Sequence, residues 1–105
     1  MPEMKNSIRF VKECVVRAVS DDYEEFERIL ADVSGWVGER GVVVDRAGVL
    51  NALEDAIAEG YACAYVLSGT PPYSTPVEYS VTRLDDLWFY VTPHGKKFAQ
   101  DLQDE

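Results

Sequence analysis

The sequence predicts an α+β domain in which three helices lead into a β-hairpin and a last helix closes the chain. Three observations carry this. Tyr23, Phe26, Ile29, Leu30, Val33, Trp36 and Val37 recur at helical spacing. The runs YACAYVLS and LWFYVT are short and rich in aromatic and branched residues, as strands are. Thr92-Pro93 then opens PHGKKFAQDL with a threonine N-cap and a proline at the first helical position. The chain has 105 residues and is 47% hydrophobic, which makes one domain around a single modest core.

The elements follow in order. Residues 7–19 carry Ile8, Val11, Cys14, Val15, Ala18 and Val19 at helical spacing, broadened by Phe10 and Val16. They read as a helix, with a strand as the competing reading because valine is frequent. Ser20-Asp21-Asp22 breaks that pattern and supplies N-cap side chains. The pairs Asp21/Glu24 and Asp22/Glu25 have capping-box spacing. The second helix covers 22–39 and stops where Gly35, Gly38 and Gly41 weaken it. Val42-Val43-Val44 is a short extended link and a candidate for a small first strand. Asp45 caps a third helix over 45–59, with Leu50, Leu53 and Ile57 as its stripe, Val49 and Ala56 beside them, and Gly60 at its end. Residues 61–68 and 87–92 are the strands. The loop 69–86 between them begins SGTPPYSTP, whose prolines resist regular pairing. Val77, Tyr79 and Val81 alternate with polar residues there, which leaves room for a further short edge strand. Residues 93–103 form the closing helix, docked by Phe98, Ala99 and Leu102.

Charge and cysteine usage narrow the function. Net charge is −9. Residues 1–19 hold four cations against two acids, whereas 20–44 hold seven acids against Arg28 and Arg40. An acidic body repels phosphate backbones. Cys14 and Cys63 lie in apolar segments and read as buried free thiols. The single histidine, His94, has no cysteine or second histidine near it in sequence, so no zinc site is expected. No apolar run is long enough to cross a bilayer. The start, MPEMKNSIRF, lacks an apolar signal core, and the expected location is cytoplasmic.

The segment AYVLS…LWFYVTPHGKKFAQDL resembles the wing and closing helix of winged helix-turn-helix regulators of the phenolic-acid-repressor and multiple-antibiotic-resistance kinds. Those families often end the wing with a tyrosine or leucine, then Thr-Pro-x-Gly and a basic helix start. Here the motif stands as Tyr90, Thr92, Pro93, Gly95 and Lys96. VLNALEDAIAEGYACAY likewise resembles their third helix leading into the wing. The resemblance implies a winged-helix-like architecture, and it implies that the third helix would enter the major groove of DNA.

The residues themselves argue against that use. Opposite its apolar stripe, the third helix presents Gly48, Asn51, Asp55 and Glu59. A reading face normally offers Arg, Lys, Asn or Gln, and this one offers a single Asn and two acids. Arg46 is the helix's only cation, and the wing loop has only Arg83. A small basic patch remains at His94, Lys96 and Lys97, where cations oppose the helix dipole.

The hairpin offers a candidate partner surface. Tyr61, Cys63, Tyr65 and Leu67 point one way and Ala62, Ala64 and Val66 the other. Leu87, Phe89 and Val91 alternate with Trp88 and Tyr90. Neither face is polar, so the second one calls for a cover: residues 1–19, a second subunit or another protein. Val15, Tyr61, Tyr65, Trp88 and Tyr90 are the candidate partner-surface residues. No Ser-His-Asp arrangement, phosphate-cradling glycine loop or metal cluster is legible, and no enzyme activity or cofactor is expected. The expected function is an acidic protein-interaction or regulatory module that pairs with itself or a protein partner. The alternatives are a DNA-binding regulator using a non-standard surface and a small-ligand sensor of unspecified ligand.

Overall fold

A computed structural model describes residues 2–103, with side chains described over 8–101. Among these residues are four α-helices, a kinked 3-10 segment over Val81–Asp86, and four strands that form one antiparallel sheet. The order is α1 (Pro2–Ala18), β1 (Glu24–Glu25), α2 (Phe26–Gly38), α3 (Arg46–Ala58), β2 (Ala62–Leu67), β3 (Ser74–Val77), β4 (Trp88–Val91) and α4 (Pro93–Gln103). The strands lie in the sequence β1-β4-β2-β3 across the sheet. No helix among the described residues is long and apolar enough to cross a membrane.

α1 is a helix, not the competing strand, and it is the central element of the core. It lies against α2 and α3 and touches α4. Val11, Cys14, Val15, Val16, Ala18 and Val19 are all buried. Its breadth of apolar surface therefore serves three helical neighbours. Val15 is fully buried, which removes it from the candidate partner surface. The helix ends where the Ser20 hydroxyl donates to the Val16 carbonyl at 2.7 Å. The sheet joins it there, the Val91 amide donating to the Val19 carbonyl at 3.0 Å.

The second helix starts later than 22. Glu24 and Glu25 are extended and pair with Phe89 and Trp88 of β4. Glu25 is the N-cap, in extended backbone and without a side-chain cap bond, so neither capping box forms. Asp22 instead accepts the Tyr23 amide at 2.8 Å and shapes the turn. Once β1 claims two residues, Phe26, Ile29, Val33 and Val37 supply the buried stripe of α2. The link 42–44 makes no strand. Its middle residue, Val43, is 96% exposed.

Asp45 caps α3 as the sequence predicts, its carboxylate accepting the Gly48 amide at 2.8 Å. The buried stripe is rotated slightly from the predicted one: Val49, Ala52, Leu53 and Ala56 are buried, with Leu50 and Ile57 half-buried at its edge. Gly60 ends the helix at φ +81°, a conformation that favours glycine.

The loop 69–86 contains the further strand, at Ser74–Val77 and not over Val77–Val81. It pairs with β2 from Leu67↔Ser74 to Ala64↔Val77. Pro76 sits opposite Tyr65 within it, which an edge strand permits because one side of its backbone is unpaired. The expected antiparallel pairing of the two main strands runs from Ala62↔Val91 to Tyr65↔Trp88.

α4 docks through its first turn. The Thr92 hydroxyl accepts the Gly95 amide at 3.0 Å, and the Thr92 amide donates to the Tyr61 carbonyl at 3.0 Å. Gly95 is buried against that same carbonyl, and a Cβ there would clash with its oxygen. Phe98 and Ala99 pack on the body, while the Leu102 side chain lies outside the described residues.

Candidate functional site

Strand alternation sorts the sheet into two faces. Ala62 and Ala64 of β2 and Phe89 and Val91 of β4 are buried and face the helices. Cys63, Tyr65 and Leu67 of β2 share the other face with Trp88 and Tyr90 of β4, and all five are half-buried. The register sets Cys63 beside Tyr90 and Tyr65 beside Trp88. Cross-strand aromatic neighbours of this kind are the unit of sheet stabilisation.

A third tyrosine joins them from outside the hairpin. Tyr23 stands just before β1, and its ring meets Tyr65 edge-on, with centroids 5.1 Å apart at 85°. Its ring also lies 4.9 Å from that of Tyr90, tilted by 31°. The Tyr23 and Ser74 hydroxyls share a hydrogen bond of 3.0 Å, which ties the platform to β3. Lys96 places its Nζ 5.7 Å from the Tyr90 ring centroid, within cation–π reach. Between Tyr23, Tyr65, Tyr90, Pro93 and Lys96 lies a shallow cleft of about 340 Å³. Burial pushes the Tyr65 phenol up from its ordinary value, and the neighbouring Cys63, Tyr23 and Tyr90 push the same way. The Tyr65 phenol is therefore a neutral hydrogen-bonding group at ordinary pH.

The sequence-predicted residues divide. Tyr65, Trp88 and Tyr90 stand together on the outer face. Tyr61 does not belong with them: it precedes β2 and stacks on Phe98 at 4.3 Å and on His94 at 4.9 Å. α4 covers it, because the close approach at Gly95 brings that helix onto the start of the strand. His94, Lys96 and Lys97 are all exposed but work separately, His94 on the Tyr61 ring and Lys96 on the Tyr90 ring.

On α3, Asn51, Asp55 and Glu59 are exposed. Gly48 is half-buried and lies against Val44, so it leaves the predicted exposed face. Glu59 forms an ion pair with Lys12 of α1 at 2.9 Å. Arg46 pairs with Glu27 and lies over the Phe26 ring at 4.9 Å. The helix's one cation is thus already engaged within the chain. Both cysteines are free; Cys14 is buried, and that burial raises its thiol pKa. Cys63 is half-buried on the aromatic face rather than buried. Among the described residues no three of His, Cys, Asp and Glu converge as a metal site.

The helical spacing of the sequence places Tyr23 on the apolar face of the second helix. A strand of only two glutamates carries no hydrophobic signal, and without it Tyr23 cannot be placed on the sheet.

Comparison with protein-family models, with curated proteins and with solved structures finds no match for this chain.

Proposed function

We propose that this chain is a winged-helix-type protein-interaction module that pairs with a second copy across the outer face of its sheet and does not bind duplex DNA. The order of elements supports the architecture. β1 falls between α1 and α2 and pairs with the last strand, α2 and α3 follow each other directly, and β2 and β4 lie side by side. β3 is an addition at the edge of that plan.

The observation that supports the function is the half-buried aromatic platform of Tyr23, Tyr65, Trp88 and Tyr90 on the outer face of the sheet. Aromatic residues with a polar tip suit a surface that is wet in one state and dry in another. The platform also suits a second copy of an acidic chain. Glu25 stands beside Trp88 at one end of β4, and Lys96 stands over Tyr90 at the other. A two-fold copy laid antiparallel meets each charge with its opposite. The case against DNA rests on α3, whose exposed face offers Asn51, Asp55 and Glu59 and whose Arg46 is committed to Glu27.

Sedimentation tests this reading. A dimer is expected at micromolar concentration, and it persists or tightens as added salt screens the repulsion between two acidic bodies. Trp88→Glu is expected to shift the population to monomer. A monomer at every concentration and salt level overturns the pairing.

A further inference from the structure

We infer that the groove between α1, the 42–44 link and α3 receives the apolar face of a basic amphipathic helix from another protein. The groove encloses about 520 Å³. Val11 and Ala52, both nearly buried, line its floor, and Ile8 and Val43 stand on its walls at 61% and 96% exposure. Two aliphatic side chains held in water beside one concave surface mark a site for apolar contact. A groove between two helices suits the ridge of a third.

The rim sets the partner's charge. Asn51, Glu54 and Asp55 of α3 line the same groove. Three of the four described cations of these two helices are already paired: Arg9 with Glu13, Lys12 with Glu59 and Arg46 with Glu27, while the fourth, Arg17, does not line the groove. The apolar floor therefore has an acidic edge, on a chain of net charge −9. A second copy brings the same acidic edge and is repelled. A helix with leucine-like side chains on one face and lysine or arginine along its flanks satisfies both features. The sheet platform takes no part, so this inference stands or falls separately from pairing through Trp88.

The test uses the full chain and a fluorescein-labelled peptide of about 14 leucines and lysines, with the leucines at helical spacing. A control peptide has the same composition scrambled off that period, so that it reports charge attraction alone. Anisotropy titration is expected to show the periodic peptide binding roughly tenfold tighter than the control. Val43→Ser and Ile8→Ser change exposed side chains and leave the helical circular dichroism intact. Each is expected to weaken binding by about five- to tenfold, the scale of one lost apolar contact. Asp55→Lys weakens it as well, and Trp88→Glu leaves it unchanged. Equal binding of the two peptides, or a Val43→Ser variant that binds like the parent chain, overturns the groove. An Asp55→Lys variant that binds like the parent overturns the basic partner. Self-association that disappears in Val43→Ser assigns the groove to a second copy and overturns the inference.

Discussion

Tyr79 donates its phenolic proton to Glu54 Oε2 over 2.7 Å, which ties the chain after β3 to the middle of α3. Burial and this bond raise the phenol's pKa far above its ordinary value. A group whose pKa is higher in the folded state contributes its stability in full below the unfolded value, about 10 for tyrosine, and loses it as pH climbs above that. Tyr79→Phe is therefore expected to cost about 1 kcal/mol near neutral pH and to flatten the loss of stability above about pH 10. Denaturant melts of both proteins across that range check both parts. An unchanged alkaline slope contradicts the assignment.

Gly95 has no room for a methyl group. Its Cβ would run into the Tyr61 backbone carbonyl and the Val91 side chain, neither of which is a flexible end. Gly95→Ala is expected to cost about 1–3 kcal/mol, the range for overpacking, despite alanine's better helix propensity. Thermal melts decide, since a purely helical effect would raise the midpoint.

Leu53 is fully buried between α3 and its neighbours, while Asp55 is exposed one-half turn away. Leu53→Ala is expected to lose roughly 2–5 kcal/mol, and Asp55→Ala less than about 0.5 kcal/mol. Equal losses in urea would show that the phase of α3 is wrong.

The elements with a strong period were legible from sequence: α1, α3 and α4 form where their apolar spacing marks them, although Ile8 stands exposed and the buried stripe of α3 turns toward Val49, Ala52 and Ala56. Residues whose structure depends on a distant partner were not. Glu24 and Glu25 form a strand only because β4 offers Phe89 and Trp88 as partners, and two charged residues inside a helical period give no sign of it. Pro76 argues against pairing until its strand is known to lie at the sheet edge. The platform was legible in part. Tyr65, Trp88 and Tyr90 follow from alternation alone, whereas Tyr23 needs β1 and the loss of Tyr61 needs the approach of α4 at Gly95. Val15 shows the limit of an apolar count. A helix that is apolar over much of its circumference fits a partner surface and a core centre equally well, and only the packing of α2 and α3 around α1 separates them.

α3 lacks the cations that nonspecific binding of a phosphate backbone requires. Random-sequence duplex at roughly 0.1 M salt is expected to bind more weakly than the usual range of about 10⁻⁴–10⁻⁶ M. Fluorescence anisotropy with a labelled duplex measures it. Micromolar affinity that falls steeply with salt would restore DNA as the partner.

Contact between copies through the aromatic platform is read by isotope-filtered NOE spectroscopy on a mixture of labelled and unlabelled chains. Intermolecular NOEs are expected to link the Trp88 indole of one copy with the Tyr65 and Tyr90 rings of the other, and to vanish in Trp88→Glu. A mixed sample at millimolar concentration with no intermolecular NOE to any of these rings would contradict it.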